Sequence, residues 1–70
     1  MTRDLKISIA AARKNAGMTQ EEVAGILRIS KSTVINWEKG KTQPSKADID
    51  ALGRLYNWPV DHFNLPSESS

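Results

Sequence analysis

Residues 19–41 read TQEEVAGILRISKSTVINWEKGK, and this stretch decides the fold. Thr19 is followed three residues on by Glu22, the spacing of a capping box that opens a helix. Val23, Ala24, Ile26 and Leu27 then recur at helical intervals and supply its buried side. Ser30 is a second N-cap. Beyond it Val34 and Trp37 face inward, and Gly40 stops the helix with Lys39 at the negative end of its dipole. Two short amphipathic helices therefore follow one another across about four residues.

The same rules extend outward in both directions. A first helix is expected over Leu5 to Ala16, with Leu5, Ile9, Ala12 and Ala16 on one side and Gly17 ending it. Residues 41–44, KTQP, form a loop, because Pro44 disfavours helix at the residue before it. Ser45 caps a fourth helix with Asp48 in its first turn and Ile49, Leu52, Leu55 and Tyr56 as apolar positions. Asn57 tolerates the left-handed conformation that ends it. Pro59 suits the first turn of a short fifth helix carrying Val60 and Phe63 to the core. The expectation is an all-α compact bundle of about five short helices, with one domain over residues 1–65 and a disordered tail over 66–70. There is no internal repeat and no strand signal.

Seventy residues make one small domain with one core. Cysteine is absent, which excludes disulfides and thiolate metal sites, so tight helix packing must supply the stability, with oligomerisation as an optional further source. No apolar run approaches the roughly 20 residues that cross a bilayer. The opening MTRDLKIS lacks the apolar stretch of a secretory signal, and a cytoplasmic location is expected. Net charge is +2 but unevenly placed. Residues 1–46 hold nine Lys and Arg against four Asp and Glu, whereas residues 47–70 hold Arg54 against four acids. The reading is a basic face for phosphates and an acidic far side, with an ordinary solvated surface as the alternative.

Ala24 is small where the second helix crosses the third, and Val34 packs back ten residues later. That spacing across a tight turn is the mechanical mark of a helix-turn-helix. At 100° steps Ser32, Asn36 and Lys39 point away from Val34 and Trp37, flanked by Lys31 and Ile35. Asn pairs with adenine, Lys donates to guanine acceptors, and an exposed Ile35 can touch a thymine methyl in a major groove. Lys39, at the end of that helix, is assigned to the backbone.

The segments GMTQEEVA, SKSTVINWEKGKTQPS and the ending WPVDHF resemble the Cro/lambda-repressor-type (XRE-like) helix-turn-helix regulators. The resemblance covers about residues 5–65. It implies a lambda-repressor-like bundle whose third helix enters the major groove. By position it assigns Lys31, Ser32 and Asn36 to base reading. It assigns Gln20 to a phosphate contact that also braces the recognition helix, and Thr33, Lys41 and Thr42 to the DNA backbone. It pairs Arg13 with Glu38 across the bundle. The chain departs from the family at Arg28, which stands where the family usually has Gly in the turn. A left-handed conformation there costs roughly 1–2 kcal/mol, and Arg28 can alternatively reach a phosphate. Ala12 stands where the family prefers a larger apolar residue, with the bulk of Trp37 to fill the space.

Trp37 reads as core. Trp58 either caps the core or lies on a self-association surface. Near the C-terminus Trp58, Phe63 and Leu65 together supply more apolar surface than so small a core hides, so a weak homodimer there, or dimerisation only on DNA, is expected. His62 stands alone without a second His or any Cys, so no metal site is expected. Asp48 and Asp50 read as solvated helix positions, not an acid/base pair. No phosphate loop and no nucleophile motif appear, and no cofactor is expected. The chain thus reads as a non-enzymatic DNA-binding regulator. It is expected to be a small bacterial or phage Cro-like repressor without an effector domain, binding double-stranded DNA at a two-fold operator as a homodimer. Two rivals stand beside it. One is an antirepressor or interaction protein that uses the fold to bind a partner repressor. The other is the antitoxin of a toxin–antitoxin pair.

Overall fold

The computed structural model describes residues 7–59, Asp61 and Phe63. Within them the chain forms α1 (Ile9–Asn15), α2 (Gln20–Leu27), α3 (Lys31–Lys39) and α4 (Lys46–Tyr56). Each helix opens on a hydroxyl. Ser8, Thr19, Ser30 and Ser45 accept from the backbone N–H of Ala11, Glu22, Thr33 and Asp48. Each thus satisfies a donor that a helix start leaves open. Thr19 with Glu22 and Ser45 with Asp48 complete reciprocal capping boxes.

The helices also end alike. Gly17, Arg28, Gly40 and Asn57 have φ of 74°, 60°, 81° and 54°. After each, the next N–H returns to a carbonyl five residues back: Met18 to Arg13, Ile29 to Ala24, Lys41 to Asn36 and Trp58 to Gly53, at 2.9–3.1 Å. These are Schellman-type closures, which need a left-handed residue and favour glycine. Arg28 therefore occupies the left-handed position in the turn between α2 and α3, at a cost Gly17 and Gly40 do not incur.

In the packing, α2 lies against α3 and α1 against α4. Ile9, Val23, Val34 and Leu52 are fully buried at the centre, joined by Ala12, Ala24, Trp37, Tyr56 and Phe63. Full burial of each large aliphatic side chain contributes roughly 1.5–3 kcal/mol. Ala24 is buried where α2 meets α3, and Ala12 and Trp37 belong to the same core.

Several expectations need correction. The first helix starts at Ile9, not Leu5, because Ser8 is extended and caps it. Leu5 itself lies outside the described residues. Ile7 instead pairs with Phe63 in an isolated parallel β-bridge, where no strand was expected. Ala16 is exposed as the C-cap of α1. Ile26 is 55% exposed, standing off the edge of the stripe that Val23, Ala24 and Leu27 bury. Four α-helices form among the described residues, and the expected fifth falls largely on residues outside them. Val60, His62, Leu65 and the tail over 66–70 lie outside them. Phe63 still reaches the core.

Candidate nucleic-acid interface

The polar face of α3 depends on how its apolar face is held. Val34 and Trp37 are buried, so Lys31, Ser32 and Lys39 project outward and are exposed. Asn36 on the same face and Ile35 on its flank are half-buried, so Ile35 is less available than its position suggested. The N-cap is reinforced by a 2.9 Å hydrogen bond between the Ser30 and Thr33 hydroxyls. At the other end the Asn36 carbonyl accepts from the N–H groups of Lys41 and Thr42, at 2.9 and 3.4 Å. The exposed loop carrying Lys41 and Thr42 is thereby tied to the last turns of α3.

A clamp fixes α3 to the rest of the bundle. Arg13 Nε donates to Glu38 Oε2 at 2.8 Å and Nη2 to Glu38 Oε1 at 3.3 Å. Arg13 Nη1 donates to the Met18 carbonyl at 2.9 Å. Gln20 Nε2 donates to Glu38 Oε1 at 2.9 Å. One buried guanidinium thus joins α1, the turn after it and α3, while Glu38 also holds the first residue of α2. Paired, planar and shielded from water, these bonds are stronger and more directional than surface ion pairs. The hydrogen bond to Glu38 raises the Arg13 pKa against the opposing effect of burial. Burial pushes the Tyr56 phenol up to about 12, with the Glu38 carboxylate adding and the Arg13 guanidinium opposing.

The structure thus brings together Lys31, Ser32, Ile35, Asn36 and Lys39 on one helix, with Thr33 on its flank. Lys41 and Thr42 follow in the adjoining loop, and Gln20 stands beside the helix through Glu38. Two contacts escaped sequence reasoning. The Met18 carbonyl completes the arginine's set of acceptors, and Glu21 Oε2 lies 3.8 Å from Lys31 Nζ. The second had a readable signal: a carboxylate and an ammonium in the first turns of two helices joined by a short turn. Among the described residues, no group of three His, Cys, Asp or Glu can hold a metal ion. No helix among them is long and apolar enough to cross a membrane.

A helix-turn-helix family model matches residues 9–63. The chain is 30% identical over 66 residues to the competence pilus inhibition repressor of Acinetobacter baylyi, covering 94% of this chain and 60% of that protein. It is 29% identical over 58 residues to the cryptic phage CTXphi transcriptional repressor RstR of Vibrio cholerae, covering 83% of this chain and 52% of that one. It is also 36% identical over 55 residues to the type II methyltransferase M.SsoII of Shigella sonnei, covering 74% of this chain and 14% of the methyltransferase. The chain therefore spans little more than half the length of either repressor. No solved structure matches.

Proposed function

The chain belongs to the XRE-type helix-turn-helix family, and from that premise we propose that it is a sequence-specific DNA-binding transcriptional regulator of the Cro-like repressor kind. In this reading α3 enters the major groove. Lys31, Ser32, Ile35 and Asn36 meet base edges, while Gln20, Thr33, Lys39, Lys41 and Thr42 meet the backbone. Two copies bind a two-fold operator, because one nine-residue helix reads too few bases alone. The reading includes a cytoplasmic location and no catalysis. The methyltransferase match covers 14% of that protein and carries no activity to this chain.

The observation that carries the reading is the clamp of Arg13, Glu38 and Gln20. It spends buried hydrogen bonds on orienting a helix whose outward face is polar and basic. A helix that served only the core would not need its polar face aimed. Selection of bound sites from a random duplex library tests it. Enrichment of a palindromic sequence is expected, and recovery of no preferred sequence would overturn it.

The exposure of Ile26 on α2 favours the interaction-protein reading as the second choice. In that case a partner regulator, not DNA, is retained by the protein in a gel shift.

A further inference from the structure

Lys31 is the first residue of α3, and no acidic side chain stands in the first turn of that helix. An ammonium there faces the positive end of the helix dipole. The offsetting carboxylate comes from α2. Glu21, in that helix's own first turn, places Oε2 3.8 Å from Lys31 Nζ. The two side chains line a crevice where the starts of α2 and α3 converge, with Arg13, Met18, Thr19 and Gln20 on its other walls. Their side chains are 75% and 50% exposed, so the pair adds little to stability and exchanges readily with other partners.

We propose that Glu21 is a specificity-determining residue that acts through Lys31. This rests on α3 reading DNA, as set out above. On a random duplex the nearest acceptors for Lys31 are phosphates. Glu21 opposes that exchange, because its carboxylate competes for the ammonium and repels the phosphate. At a matching site Lys31 donates to a guanine edge while keeping Glu21 as a second acceptor, since an ammonium has three donors. The carboxylate therefore lowers non-specific binding more than specific binding. Its removal leaves an unpaired cation at the interface, free to neutralise one phosphate and release its counterion.

The test measures affinities of wild type, Glu21→Gln, Lys31→Met and the double variant. The probes are a duplex recovered by selection and its scrambled counterpart, across a salt series. Glu22→Gln removes the same charge from the same helix, away from Lys31, and serves as the control. Glu21→Gln is expected to tighten scrambled-duplex binding about fivefold at low salt, the effect of one unit charge at contact distance in water. Its salt slope on that duplex should steepen by about one. Selected-duplex affinity should change less, and the effect should vanish in the Lys31→Met background. Glu22→Gln should keep the wild-type ratio between duplexes. Equal tightening on both duplexes, or an effect that persists without Lys31, overturns the proposal and leaves DNA reading intact. A wild-type protein that does not distinguish the duplexes overturns the underlying reading and this inference with it.

Discussion

Arg13 and Glu38 stand 25 residues apart in sequence and meet through two guanidinium nitrogens and both carboxylate oxygens. Their side chains are only 10% and 8% exposed. Removing one partner strands a buried charge, whereas removing both does not. Arg13→Ala is expected to cost about 3–5 kcal/mol, a large part of the stability of so small a domain. Replacing both residues with Met should cost less than the sum of the single changes. Urea titrations of the double-mutant cycle measure the coupling, and additive losses would contradict a working pair.

Tyr56 lies beside this clamp and makes the fold sensitive to alkali. Its phenol is held up to about 12 against an ordinary value of 10.0, chiefly by burial. A phenol whose folded pKa exceeds its unfolded one stabilises the fold while protonated. That contribution, of about 2–3 kcal/mol, is complete below about pH 10 and is lost as pH rises through about 12. Tyr56→Phe should remove this part of the alkaline decline. Stability measured between pH 9 and 12 for both proteins checks it, and parallel curves would rule it out.

Arg28 is the one left-handed helix terminus occupied by a residue other than Gly or Asn among the described residues. Arg28→Gly should relieve the clash of Cβ with the backbone and stabilise the protein by roughly 1 kcal/mol. For a domain of this size that raises the melting midpoint by about 4–8 °C. A midpoint lowered by the substitution would mean that the arginine side chain contributes more than its backbone costs.

Base reading and backbone holding separate by salt and by sequence. Asn36→Ala should cost on the order of 1–3 kcal/mol on the selected duplex and little on the scrambled one. Lys41→Ala should weaken both and lower the salt slope by about one. Equal effects of the two substitutions on both duplexes would mean that α3 does not read sequence.

Assembly is expected to depend on DNA. The sequence suggested Trp58, Phe63 and Leu65 as a self-association surface. Phe63, however, is buried within the protomer, and Leu65 lies outside the described residues. With Trp58 half-buried, the apolar surface that the described residues near the C-terminus leave for a free dimer is small. Sedimentation should give a monomer alone at micromolar concentration and two copies on a palindromic duplex. A single copy on that duplex would contradict the two-fold arrangement.

What the sequence determined by itself is what depends on neighbours three to five residues apart. Thr19 with Glu22, Ser30, and Ser45 with Asp48 open helices through bonds spanning one turn, so their spacing is their mechanism. Gly17, Gly40 and Asn57 close helices for an equally local reason. The inward positions of Val34, Trp37, Leu52 and Tyr56 follow from the helical period. The pairing of Arg13 with Glu38 was legible only through resemblance, since no local rule links residues 25 apart. Tertiary structure decided the rest. The pattern over Leu5 to Ala16 fits a longer helix, but Ile7 is drawn into pairing with Phe63 and Ser8 starts the helix later. Ile26 fits an apolar stripe, yet the core takes in only Val23, Ala24 and part of Leu27 from α2. Gln20 meets Glu38, and Glu21 meets Lys31, only once α2 and α3 have packed. Those contacts aim the polar face, because the direction of an exposed side chain is set by the surfaces that bury its opposite side.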